Sequence, residues 1–226
     1  MPRSVDDRLF INRHFLGSGL TVPILSSALE EIYKVLDLID DELLDNDSDR
    51  LSRLVELANL SSIIGNLFAA GVVRASDGVF DRPATGHKYQ DLRTTGLSPT
   101  ADDIEIKVAL ESNTPKGHLA KAGPYLTCRY VLGDANGEYR SAKRGDVVWV
   151  WELRYGHLSP AHFNLSNTPG DSGKTAVVNR SGMELLKVVY FDAKRCPYGP
   201  KSRRRLQMER ERQEALELEQ TIVKVE

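Results

Sequence analysis

Cysteine is scarce in this chain, and with it go a disulfide framework and a cysteine-built metal knuckle. Only Cys128 and Cys196 occur, at no metal-like or redox-like spacing. A reduced, cytoplasmic setting is therefore expected, with both thiols packed rather than reactive. No apolar run looks long enough to span a bilayer, so no membrane partner is expected. The opening MPRSVDDRLF lacks the basic-then-apolar layout of a secretory signal. Walker, zinc and dinucleotide fingerprints are missing, as are helicase and ATPase motifs, internal repeats and low-complexity stretches. Charge of one sign is also lacking: the net charge is −2. A nucleic-acid binder of this composition must concentrate its cations locally, because affinity for DNA comes from neutralising phosphates and releasing counterions. Some clustering exists, with Ser26 to Glu56 acidic on balance and Lys194 to Arg205 strongly basic.

What is present is an ordinary globular composition, 41% hydrophobic and 27% charged over 226 residues. That length holds one sizeable domain, with or without an appendage. Its most informative stretch is DDIEIKVALE, residues 102–111. Ile104, Ile106, Val108 and Leu110 alternate with Asp103, Glu105, Lys107 and Ala109. A period of two predicts a strand with one buried face. Glu105 and Lys107 share the other face, with Cα atoms roughly 6.6 Å apart. A carboxylate there can ligate a hard divalent cation. An ammonium beside it can orient a water or offset charge on a phosphate. The plain alternative is a solvated Glu/Lys pair.

Upstream, GHKYQDL places Asp91 fourteen positions (105 − 91) before Glu105. RTTGLSPTAD lies between them and reads as a turn or short loop. Two short strands joined by such a connector bring Asp91 beside Glu105, where two close carboxylates repel unless a cation sits between them. Here the chain resembles the PD-(D/E)xK nuclease superfamily, whose pattern is an acidic residue near the end of one strand, then E-x-K or D-x-K on the next. Asp91 matches the first acidic position, and Glu105 and Lys107 match the E-x-K. Gln90 stands where that family often has proline, which leaves Asp102 and Asp103 as alternatives. Asp91 is preferred because those two lie on the same strand as Glu105. The resemblance covers the middle of the chain, from the helix before residue 71 to the strands near residue 155.

It implies an α/β fold with a mixed central β-sheet flanked by helices, restriction-endonuclease-like. Residues 1–200 would form one domain, with a helical part (1–71) and a catalytic sheet (72–200); residues 201–226 would form a peripheral charged helix. The resemblance also implies magnesium held by Asp91, Glu105 and the Ile106 carbonyl, with Lys107 acting on the attacking water. Glu56 enters as a weak candidate, since some members carry a helical glutamate that touches the metal.

Elsewhere, apolar spacing predicts a helix over residues 23–44, capped near Ser26 or Ser27. A second is predicted over about 49–70, capped at Asp47, Ser48 or Asp49 and stopped by Gly71. Tyr125 to Asp134 and Val147 to Gly156 read as strands around an Asn136-Gly137 turn. TAVVN (175–179) and ELLKVVYFD (184–192) read as further strands. Lys116, His118 and Lys121 lie in the connector after the E-x-K strand, placed to meet phosphates. Asn164 and Asn167 lie in a polar loop that can reach base edges. The function expected is magnesium-dependent cleavage of double-stranded DNA by a type II restriction endonuclease-like homodimer, whose symmetry matches a palindromic site. The alternative is a non-catalytic nucleic-acid-binding or protein-interaction module.

Overall fold

Thr21 begins the first long helix: its hydroxyl accepts the Ile24 N–H at 3.4 Å, with Pro23 in the first turn. The cap therefore sits five residues before the predicted Ser26, whose own hydroxyl donates to Asp7. In the computed structural model, residues 3–83, 90–166 and 175–223 are described. Helices α1 (Val22–Asp45), α2 (Leu51–Leu54) and α3 (Leu57–Ala75) come first. Strands β1 (Phe80–Asp81), β2 (Arg93–Thr94), β3 (Glu105–Leu110), β4 (Lys116–Gly117), β5 (Gly123–Gly133), β6 (Val147–Leu158), β7 (Phe163–Ser166) and β8 (Thr175–Val178) follow. Helix α4 (Arg180–Leu185), strand β9 (Lys187–Phe191) and helix α5 (Arg203–Val223) complete the order.

The predicted second helix is broken at Val55, which turns to extended backbone and separates α2 from α3. None of the predicted aspartate and serine caps serves α2. Asp40, eleven positions upstream, accepts the Leu51 N–H at 2.9 Å instead. Gly71 does not stop α3. It is buried within the helix, where a Cβ would lie 2.8 Å from the Ala28 Cα, so glycine is what lets α1 and α3 approach. Gly71→Ala is expected to cost about 1–3 kcal/mol of stability through overpacking, measurable as a lower urea midpoint with an unchanged m-value.

By length and composition α3 is apolar enough to cross a bilayer, with a mean hydropathy of 1.3, contrary to the expectation of no such run. Here Leu60, Ile64, Phe68 and Val72 on α3 are buried in the core.

The central sheet has the order β3-β5-β6-β9. Strand β3 runs parallel to β5, and the other neighbours are antiparallel, so the sheet is mixed. The protein is thus α/β with a mixed central sheet and helices packed on it. The predicted 184–192 strand divides: Glu184 and Leu185 close α4, and β9 starts at Lys187. The β5–β6 hairpin has a longer loop than a two-residue turn, with Gly137 (φ 75°) donating to the Asp134 carbonyl. Trp149 and Trp151 are both packed, and each indole N–H donates to a backbone carbonyl, Asp134 and Glu111 respectively.

A second sheet, β4-β8-β7, is antiparallel. A core of Tyr125, Leu158, Phe163, Ala176, Val178 and Leu186 joins it to the central sheet. The main core includes Met208 and Ala215 of α5, so the C-terminal helix packs on the domain rather than standing off it.

Candidate metal centre

Leu92 and Ile104 exchange both backbone hydrogen bonds, at 3.1 and 2.9 Å, forming an antiparallel bridge. That register sets Asp91 opposite Glu105 and Arg93 opposite Asp103, all on the face away from buried Leu92 and Ile104. Side chains then lock the pairing. The Asp91 carboxylate accepts the Ile106 N–H at 2.8 Å, and the Glu105 carboxylate accepts the Gln90 N–H at 3.1 Å. The second Glu105 oxygen pairs with the Lys107 ammonium. The three predicted residues therefore meet.

Gln90 has φ 77°. Proline is fixed near −65°, so the residue that the family pattern favours here is incompatible with this backbone.

The site face of β3 is not the open surface that alternation alone suggests. Glu105 is only 8% exposed, and the small sheet covers Lys107 beside it. Gly117 of β4 faces Lys107 so closely that a Cβ would come within 2.7 Å of the lysine Cε and 3.2 Å of Nζ. Burial pushes the Glu105 carboxyl above its ordinary range. The Lys107 charge opposes that shift, and the neighbouring Asp91 charge adds to it.

Among the described residues no group of three or more His, Cys, Asp or Glu side chains converges. Two carboxylates still suit magnesium, which keeps several waters and takes one or two carboxylate ligands. The Ile106 carbonyl points to the same strand edge as its N–H, where Asp91 sits. The donor set and the carboxylate repulsion that a cation relieves both fit the ion.

The alternatives to Asp91 are engaged elsewhere. Asp103 accepts the Thr94 N–H at 2.8 Å; Asp102 accepts the Ser18 hydroxyl at 3.2 Å. Both line a cleft of about 440 Å³ with Gln90, Thr94, Pro124 and His157, beside the carboxylate pair.

Glu56 is not part of the site. Ser61 of α3 meets the Tyr130 hydroxyl at 3.0 Å, and Tyr130 pairs with Leu110, while Gly65 faces Val108. The start of α3 therefore lies at the Leu110 end of β3. Exposed Glu56 precedes it, and Glu105 is at the strand's other end, roughly 17 Å away along β3.

Among the expected DNA contacts, exposed Lys116 and Asn164 both register with Val177 across the small sheet. They occupy its outer face, opposite the one on which Gly117 meets Lys107. His118 is exposed and Lys121 half-buried in the connector; Asn167 lies outside the described residues.

Sequence reasoning missed the polar continuation of the site. Lys107, Thr127 and Arg154 form one row across β3, β5 and β6. Next to it, Glu152, fully buried, pairs with both Arg129 and Arg154. Arg129 also donates to the Tyr198 hydroxyl at 3.0 Å and lies 4.4 Å over the Trp151 ring. The available signal was three charged residues inside otherwise apolar strands, since buried charges require partners.

No protein-family model matches the chain, and no curated protein matches it.

Proposed function

We propose that this protein is a magnesium-dependent endonuclease for double-stranded DNA, with a restriction-endonuclease-like fold and a type II mode of action. The observation that carries the reading is the locking of Asp91 by the Ile106 N–H and of Glu105 by the Gln90 N–H, with the Lys107 ammonium on Glu105. Strand β3 holds Glu105 and Lys107, and the Leu92–Ile104 bridge sets Asp91 beside them at the same edge of the sheet, as a site for an in-line displacement requires.

Asp91, Glu105 and the Ile106 carbonyl would hold the cation. Bound there, it would supply Lewis-acid stabilisation of charge at the phosphate and leaving oxygen. Lys107, beside the carboxylates, orients the attacking water and offsets charge that develops on the phosphoryl oxygens. The Gln90 and Ile106 N–H groups keep the two carboxylates from turning away. Lacking a motor motif, the chain would bind and cut without translocation, acting in the cytoplasm as a homodimer on a palindromic site.

The test is digestion of plasmid and phage DNA by the purified chain, with magnesium and with EDTA. Discrete magnesium-dependent fragments support the proposal; binding without cutting replaces it with a non-catalytic DNA-binding module. Asp91→Asn is expected to weaken magnesium binding at least tenfold in a calorimetric titration, because the neutral amide removes one of two anionic ligands. Unchanged affinity would move the ligand role to Asp102 or Asp103.

A further inference from the structure

Among the described residues, three cations near the carboxylate pair are engaged. Lys107 is held by Glu105, and Arg82 by the Asn66 side chain at 2.7 Å. Arg154 is held by Glu152 and by the Met183 and Leu186 carbonyls. Arg93 is different. It is exposed, and the register puts it on the same face as Asp91, two residues along the strand and so roughly 6.6 Å away. Two aspartates flank it: Asp81 pairs with it across β1–β2, and Asp103 lies opposite on the other side. Each is turned to a backbone donor instead. Asp81 accepts the Arg82 N–H at 2.7 Å, and Asp103 accepts the Thr94 N–H. Arg93 forms no ion pair among the described residues.

A second observation gives that guanidinium a place to act. A groove of about 210 Å³ is lined by Asp81, Arg82, Arg93, Thr94 and Thr95. Thr94 also lines the larger cleft beside Gln90. The two hollows share Thr94 as a wall, so Arg93 stands one residue along the chain from the cleft that Gln90 lines.

Resting on the nuclease reading, we infer that Arg93 binds a backbone phosphate of the DNA strand being cut, next along from the phosphate at the metal centre. A guanidinium suits a phosphate because its planar N–H groups can bond two oxygens at once. Such a contact fixes the strand's register without reading its sequence. Arg93 would hold the substrate and take no part in proton transfer.

The full-length chain is titrated onto a fluorescein-labelled duplex in EDTA across a salt series. Each phosphate contact contributes about 0.9 to the slope of log K against log salt. Arg93→Gln should lower the slope by about that amount, and Arg93→Lys should retain it. Arg140→Gln, an exposed arginine paired with Glu138, should leave the slope at the wild-type value. With magnesium, Arg93→Gln should raise KM about tenfold and leave kcat within about twofold. A wild-type slope and affinity for Arg93→Gln would overturn the inference, as would a wild-type chain without salt-dependent DNA binding. Wild-type protein that binds with the Arg93-dependent slope yet never cuts would overturn the nuclease reading and leave the phosphate contact standing.

Discussion

Lys107→Ala is expected to lower magnesium-dependent cleavage by about two to three orders of magnitude, the usual cost of removing a preorganised charge-stabilising group. Two effects combine. The ammonium that the proposed mechanism sets against the phosphate is lost, and so is the charge that holds the Glu105 carboxyl down. Burial and Asp91 already raise Glu105 above its ordinary range, with Lys107 opposing them. Without Lys107 the carboxyl rises further and holds its proton to higher pH. Magnesium needs the carboxylate form, so magnesium affinity in the variant should recover only at more alkaline pH than in the wild type.

For apo-protein stability the sign runs the other way. A carboxyl raised in the folded state favours folding below its unfolded value, and that contribution is lost as pH rises through the folded one. The measurements are single-turnover cleavage across pH and magnesium titration of the same variant. Gly117→Ala perturbs the same group with no change of charge, because its Cβ would crowd the lysine Cε. A displaced ammonium should cost on the order of ten- to hundredfold in rate. Full activity in Lys107→Ala would remove the lysine from the mechanism.

Glu152→Ala should have the largest effect on stability, about 3–5 kcal/mol. Glu152 is 0% exposed and sits between Arg129 and Arg154. Removing it strands two guanidinium groups in the interior. Burial opposes the Arg129 charge, and Glu152 together with Tyr198 more than restores it. At roughly 2–4 °C per kcal/mol for a chain of this size, the thermal midpoint should fall by on the order of 10 °C. Replacing all three residues together by Met or Leu should recover much of that loss, since well-packed apolar side chains can substitute for a buried ion cluster. An unchanged midpoint for Glu152→Ala would show that the cluster opens to water.

The helix over 22–45, the E-x-K strand, the β5–β6 hairpin and the meeting of Asp91 with Glu105 were all legible in the sequence. Each depends on local periodicity or on a short connector, which a linear reading can weigh. Other features were not legible. Gly71 looked like a helix stop because glycine is a poor helix former, yet a neighbouring helix packs closely enough to require it. The Asp91 backbone follows a left-handed Gln90 that no spacing rule announces. Glu56 had a plausible chain position, but only the direction in which α3 crosses β3 sends it to the wrong end of the strand.

Residue order alone determined which side chains alternate and which carboxylates lie one short loop apart. Tertiary structure decided what covers them. The small sheet over Lys107, the buried Arg129–Glu152–Arg154 cluster and the place of Arg93 beside Asp81 come from contacts between segments distant in the chain. Such contacts depend on how layers stack and in which register, and a period of two carries no information about either.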